Sequence, residues 1–410
     1  MKQAFLPSNL QLMRWKIQCT AAQQSVSYQP SSWSYDFIQS IGNDHMNHVM
    51  EIEEDARKKM EDEVRCMLEN EDVEPLVLIE LIDDIDRLGI VYRFQETIDR
   101  ALERVLLQSS QVEQKMHENL HSCALCFRVL RRHGYLVSTD IFDSFKDSNG
   151  NFTTSLATDV EGMLSLYEAS HLALDGESTL DEAREFTSFH LKNMLLKMDM
   201  RSAMRVSRAL ELPSHHRMQR LEARWNIEMY DKQNKANQLL HKLATLDFNL
   251  VQKVHQQDLQ EASRWDVNAV NDLPDYMKLF FFALYNTVND MAYDTLKEQD
   301  QVIISQLKKV DDVTRGETAK AVSCYMHETG ASDEVACAYI GKLIDQNWKM
   351  INKENTYNSA LFGKCFIQTA QNLARIALCQ YQQGDAHTAP TDGSRNRVKS
   401  VIMEPIHFMK

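Results

Sequence analysis

Apolar residues recur every three or four positions along most of the chain, which predicts helix after helix from Asp36 onward. Residues 44–69 and 74–108 read as charged amphipathic helices. Leu120 to Leu136 sets Cys123, Ala124, Phe127 and Leu130 on one helical face. The polar run Lys146 to Asn151 breaks the pattern as a loop. Val160 to Leu174 predicts another amphipathic helix, closed by Asp175-Gly176-Glu177-Ser178. Thr179 then reads as an N-cap, and Glu182 three residues later completes a capping box. Leu212-Pro213-Ser214 is the expected domain boundary. A second helical block runs to about Tyr381, and Gly384-Asp385 and Pro390 to Ser394 form a loop before a short C-terminal segment. No fixed-period repeat and no sustained alternation appear, so the fold class is all-α.

Composition sharpens this picture. Only 12 Gly and 7 Pro leave few turns in 410 residues. A net charge of −14 argues against nucleic acid, which needs a basic face, but leaves room for a small anion bridged by a cation. Eight cysteines spread along the chain read as reduced thiols. Cys123-x-x-Cys126 lacks a second pair and is expected to pack in the core. The longest apolar run, Leu279 to Tyr285, is far short of the roughly 20 residues of a membrane span. Residues 1–35 hold six Ser, Lys2, Arg14 and Lys16 and no acidic residue. That composition marks residues 1–24 as a plastid transit-peptide remnant, with the cytoplasm as the alternative compartment.

Several stretches, in order, carry a resemblance. They include Tyr28 to Trp33, Ile82-Asp83-Asp84-Ile85-Asp86-Arg87, Phe127 to Tyr135, Leu164 to Ser170 and Arg220-Leu221-Glu222-Ala223-Arg224-Trp225. Leu246-Asp247-Phe248-Asn249, Leu273 to Met277, Cys324-Tyr325-Met326 and Asn372-Leu373-Ala374-Arg375 continue the series. Together they resemble plant class I terpene synthases, in monoterpene-synthase style, from about residue 25 almost to the C-terminus. The resemblance implies an N-terminal α-barrel-like helical domain, 25–212, and a shortened C-terminal terpene cyclase domain that binds metal, 213–410. It also implies a monomer, a prenyl diphosphate substrate (geranyl favoured, farnesyl the alternative) and Mg²⁺, with Mn²⁺ able to replace it.

Such chemistry ionises an allylic diphosphate, so the leaving group needs metal and basic side chains. The family supplies the first metal site with D-D-x-x-D, and no match follows residue 225. Asp83-Asp84-Ile85-Asp86 lies where the family uses its residues structurally and reads as a solvated helix face. The second family motif is (N/D)-D-x-x-(S/T)-x-x-x-E. Here Asp311 matches its first ligand, while Thr314 falls one residue early and Glu317 two. Asp311, Thr314 and Glu317 are therefore the metal candidates, with a surface acidic turn as the plain alternative. Trp33 matches an N-terminal motif whose Arg pair is replaced by Gln23 and Gln24; in the family that pair is associated with the isomerisation before cyclisation, so its loss favours acyclic products. Phe280, Phe281, Phe282 and Tyr285 read as core, with cation stabilisation as the alternative. His45/His48 and His215/His216 read as structural or surface residues.

Two places are too short for the family pattern. Ser263-Arg264-Trp265-Asp266 runs straight into Val267-Asn268, where the family places a long helical segment bearing D-D-x-x-D. Gln301 to Val310 is likewise too short for the helices before the second motif. One Arg-Trp pair serves where the family has two, as a deletion or splice between similar sites would leave it. Two readings follow: a Mg²⁺-dependent terpene synthase, or a non-catalytic helical protein of the same descent.

Overall fold

The computed structural model describes residues 33–41, 47–107, 119–230, 236–264, 269–272, 277–278, 321–357, 363–382 and 391–407. Among these residues no strand occurs, and a lone bridge pairs Lys146 with Phe152. The first helices are α1 (Tyr35–Ser40), α2 (Asn47–Glu69), α3 (Pro75–Arg87), α4 (Gln95–Leu107) and α5 (Leu120–Arg132). After two 3-10 turns come α6 (Val160–Ser170), α7 (Ser178–Met194), α8 (Met200–Glu211), α9 (Gln219–Tyr230) and α10 (Gln238–Ser263). The last are α11 (Ala321–Thr329), α12 (Asp333–Tyr357), α13 (Lys364–Tyr381) and α14 (Asp392–Ile402).

Local chemistry sets many of the ends. Pro75 opens α3, where its missing N–H costs nothing. Asn119 caps α5 by accepting from Ser122 N, Asp199 caps α8, and Asn237 caps α10. The helix expected over 74–108 is two helices, broken at Leu88-Gly89. Gly89 has φ +76°, and a Cβ there would lie 2.5 Å from the Ala223 Cβ on α9. The capping box expected at Thr179 does not form: α7 starts at Ser178, and Thr179 and Glu182 instead take Lys146 Nζ at 3.1 and 3.2 Å. The expected C-terminal loop gives way to α14 from Asp392, capped by Thr391.

One core gathers α2 to α5 around Leu68, Ile79, Ile82, Ile98, Phe127 and Phe142, all fully buried. Leu240, Leu243, Ala244 and Phe248 of α10 belong to this same core. A smaller core joins α6, α7 and α8 through Met163, Leu191 and Val206. Burial of this density is the main stabilising term. Cys123 and Cys126 sit in the large core as free thiols, and burial pushes both up to about 12.

Ion pairs lock the helices at fixed angles. Asp247 on α10 has no exposed surface. It accepts from Tyr92 Oη at 2.7 Å and Arg93 Nε at 2.8 Å, with Arg220 of α9 at 3.9 Å. Removing this carboxylate strands Arg220 and leaves Arg93 only Glu61, at 3.6 Å. We expect Asp247→Ala to lower unfolding stability by about 3 kcal/mol in urea titrations; a loss below about 1 kcal/mol would show that the pair is incidental.

Candidate metal centre

Asp311, Thr314 and Glu317 lie outside the described residues, as do Phe280, Phe281, Phe282, Tyr285 and His45. Among the described residues no group of three or more His, Cys, Asp or Glu is arranged to hold a metal ion. The reason is visible in what each acidic cluster touches.

Asp83 and Asp86 are buried, not solvated, which corrects the reading of this run as a solvated face. Asp83 meets Arg87 and Arg128, each at 2.7 Å. Burial alone would raise its pKa, but the two arginines outweigh burial and hold it well below the usual carboxylate range. Asp86 meets His133 at 3.2 Å and Arg132 at 3.5 Å; burial is again outweighed, and its pKa falls. Asp84 accepts from Tyr230 Oη on α9, yet burial dominates and lifts its carboxyl to about 6. Glu177 grips Arg131, and Glu168 accepts from Ser214 N and Oγ at 3.0 and 2.6 Å. Each of these carboxylates is committed to a protein donor. A magnesium site needs oxygens aimed at a shared point, and these residues do not fit one.

The C-terminal helices attach to this framework through a buried histidine cluster. Its imidazoles are His171, after α6, and His215 and His216, in the turn before α9. His216 stacks on Trp348 of α12 at 4.1 Å, and lies 5.2 Å from His171. His215 pairs with Asn352 Oδ1 at 2.8 Å, and Arg375 Nε of α13 donates to the His215 carbonyl at 2.9 Å. Both ring nitrogens of His171, and His216 Nε2, find no hydrogen-bond partner among the described residues. Burial, helped by Arg375 and Arg184, depresses His216 to about 3. Burial also holds His171 and His215 far below the ordinary value, as do the neighbouring imidazoles. Nearby, Arg184 and Lys349 bind Asp181 and Asp345, tying α7 to α12.

Burial thins beyond this cluster. α13 turns Ile367, Gln371 and Arg375 inward, while Leu373 and Ile376 of its apolar face are 51% and 44% exposed. Along α12, Val335, Tyr339, Leu343 and Met350 are exposed. Amphipathic helices in a complete domain bury this face.

Comparison with known proteins places these features in a family. The model described as "Terpene synthase, N-terminal domain" matches residues 32–210. "Terpene synthase family, metal binding domain" matches 255–314, and "Terpene synthase family 2, C-terminal metal binding" matches 309–350. Chloroplastic isoprene synthase of Populus tremuloides is 37% identical over 93% of this chain and 90% of its own length. The chain belongs to the terpene synthase family. Tricyclene synthase TPS4 of Medicago truncatula, also chloroplastic, is 34% identical over 94% of the chain and 92% of its own. The crystal structure of Populus x canescens isoprene synthase with three Mg²⁺ ions and dimethylallyl-S-thiolodiphosphate superposes with a TM-score of 0.69. It is 36% identical, over 92% of this chain and 99% of that one. The alignment with the P. tremuloides enzyme spans 540 positions against 410 residues, so at least 130 positions have no residue here. Family members are lyases acting on prenyl diphosphates.

Four of the motifs that carried the resemblance, at Ile82–Arg87, Phe127–Tyr135, Arg220–Trp225 and Leu246–Asn249, supply much of the ion-pair framework of this terpene synthase scaffold. His215 and His216 are structural, as one of the two sequence readings had it. His171, Trp348 and Asn352 were not singled out, since nothing local in their sequence signals a contact between distant segments. Three imidazoles kept neutral by burial bind protons in the unfolded chain first as pH falls below about 6.5. Their stability contribution is thus full above that pH and is lost as pH falls below about 6.5, for His216 down to about 3. Asp84 opposes them, because its raised carboxyl takes a proton in the folded state between about 6 and 4. We expect stability to fall by about 3 kcal/mol per pH unit near pH 5.5, read as urea midpoints. His216→Phe should flatten that slope, and a wild-type midpoint constant from pH 7 to pH 5 would contradict it.

Proposed function

We propose that this chain derives from a plastid enzyme that ionises a short allylic diphosphate with Mg²⁺ and releases diphosphate and a small terpene. We further propose that the 410-residue form keeps that enzyme's scaffold without its ionising centre. Support for the lineage comes from relatives named as isoprene, tricyclene and terpineol synthases, several of them chloroplastic. A substrate of five or ten carbons suits those names, with geranyl diphosphate favoured. Gln23 and Gln24, in place of the Arg pair, favour an acyclic product. Isoprene, the product in the names of the first relatives, is itself acyclic. The proposed division is an N-terminal helical domain to residue 212 and a shortened metal-binding domain from 213.

One observation carries the second half of the proposal. The sequence has no D-D-x-x-D after residue 225, and the buried carboxylates of the described fold are committed to protein donors. Asp311, Thr314 and Glu317 are then the remnant of the second metal site, and one remnant cannot replace the pair of sites that clamps a leaving diphosphate. The exposed apolar faces of α12 and α13 support the same reading, as the mark of helices lost from the catalytic half.

The purified chain should release no volatile product above a boiled control from dimethylallyl, geranyl or farnesyl diphosphate with Mg²⁺ or Mn²⁺. Robust product, seen by gas chromatography, would overturn the proposal. Transcripts of the same locus should include a longer form, uninterrupted between codons 264 and 267, that encodes D-D-x-x-D.

A further inference from the structure

A cavity of about 310 Å³ opens between α8, α9, α13 and α14. Four arginines line it: Arg208, Arg217, Arg224 and Arg397. Its two carboxylates, Glu211 and Glu228, sit on exposed positions and leave the positive groups in excess. The rest of the wall is largely apolar, with Leu212, Met218, Leu221 and Trp225.

The arginines are held in place but not used up. Arg208 donates through Nε and Nη2 to Glu222 and lies 4.6 Å above the Trp225 ring. Arg217 donates through Nε and Nη2 to the Leu212 and Arg208 carbonyls and to Glu211. Arg224 donates through Nε to Glu228 and through Nη1 to the Ser400 and Glu404 carbonyls. Arg397 donates through Nη1 to Gln382 at 3.3 Å. Among the described residues, Arg208 Nη1, Arg217 Nη1, Arg224 Nη2 and Arg397 Nε and Nη2 have no hydrogen-bond acceptor. Burial, and then the like charge of Arg208, outweigh Glu222 and Glu211 and depress the Arg217 pKa. Rigid guanidiniums with spare N–H groups around one cavity match an anion rich in oxygen acceptors. The volume lies at the small end of ligand pockets.

We propose that this cleft binds a small organic diphosphate without metal, its phosphate oxygens taking the spare guanidinium donors and its hydrocarbon tail lying on the apolar wall. This goes beyond the proposed function, which concerns a metal-dependent site built from other residues.

Equilibrium dialysis of the full chain in EDTA tests this with three probes: inorganic diphosphate, geranyl diphosphate and geraniol. Both diphosphates should bind saturably, one per chain, the geranyl ester more tightly, and geraniol should not bind. Arg397→Gln gives up a single bond to Gln382, so it should weaken diphosphate binding at least tenfold with an unchanged melting temperature. Arg205→Gln, on a surface pair with Glu161, should bind as wild type. Absence of saturable binding in EDTA, or wild-type binding by both Arg397→Gln and Arg208→Gln, would overturn the site. Equal affinity for the two diphosphates would overturn the placement of the tail. The readout contains no Mg²⁺ and no product, so its failure is separable from failure of the proposed function.

Discussion

Buried arginine–carboxylate pairing is the constraint on which the described helices depend. Asp83 with Arg128, Asp86 with Arg132 and Asp247 with Arg93 and Arg220 each join segments that are far apart in sequence. Charges taken out of water are stabilising only in good geometry with their remaining valences filled, so such pairs fix helix positions narrowly. Hydrophobic burial supplies the driving force, and the pairs decide which packing it drives. The same chemistry has a functional consequence. A carboxylate that neutralises an arginine is not available to bind magnesium, so an acid-rich chain can hold no metal site in its framework.

The two halves differ in how fully that logic is carried through. From α2 to α10 the apolar faces meet in continuous cores, and α10 enters the N-terminal core directly. α12 and α13 instead meet the framework through a few polar and aromatic contacts around His215, Trp348, Asn352 and Arg375. Their apolar faces stay exposed. Relatives carry at least 130 more positions than this chain within the aligned length, and the proposed loss of helices from the catalytic half would leave such faces uncovered.

Much of this was legible in the residues themselves. Helical periodicity and scarce turns showed the fold class, and the order of the motifs showed the family. The break at Gly89 was not legible, because the constraint is the approach of Ala223, 134 residues away. Burial of Asp83 and Asp86 was misread as exposure, since a run of acids looks solvated until its arginine partners on another helix are known. Thr179 and Glu182 fit a capping pattern, yet a lysine from a preceding turn took both. The arginine cleft combines Arg208, Arg217 and Arg224 with Arg397, which joins them only through the fold. Local patterns carry local structure, and long-range electrostatics needs the tertiary arrangement.

The central claim is that the acidic groups of this scaffold serve its architecture and that no diphosphate-clamping metal centre remains. Free Mn²⁺, followed by electron paramagnetic resonance in the presence of dimethylallyl-S-thiolodiphosphate, addresses it most directly. The account predicts the same free-metal signal with and without the chain. A protein-dependent loss of signal that saturates at more than one Mn²⁺ per chain would contradict it.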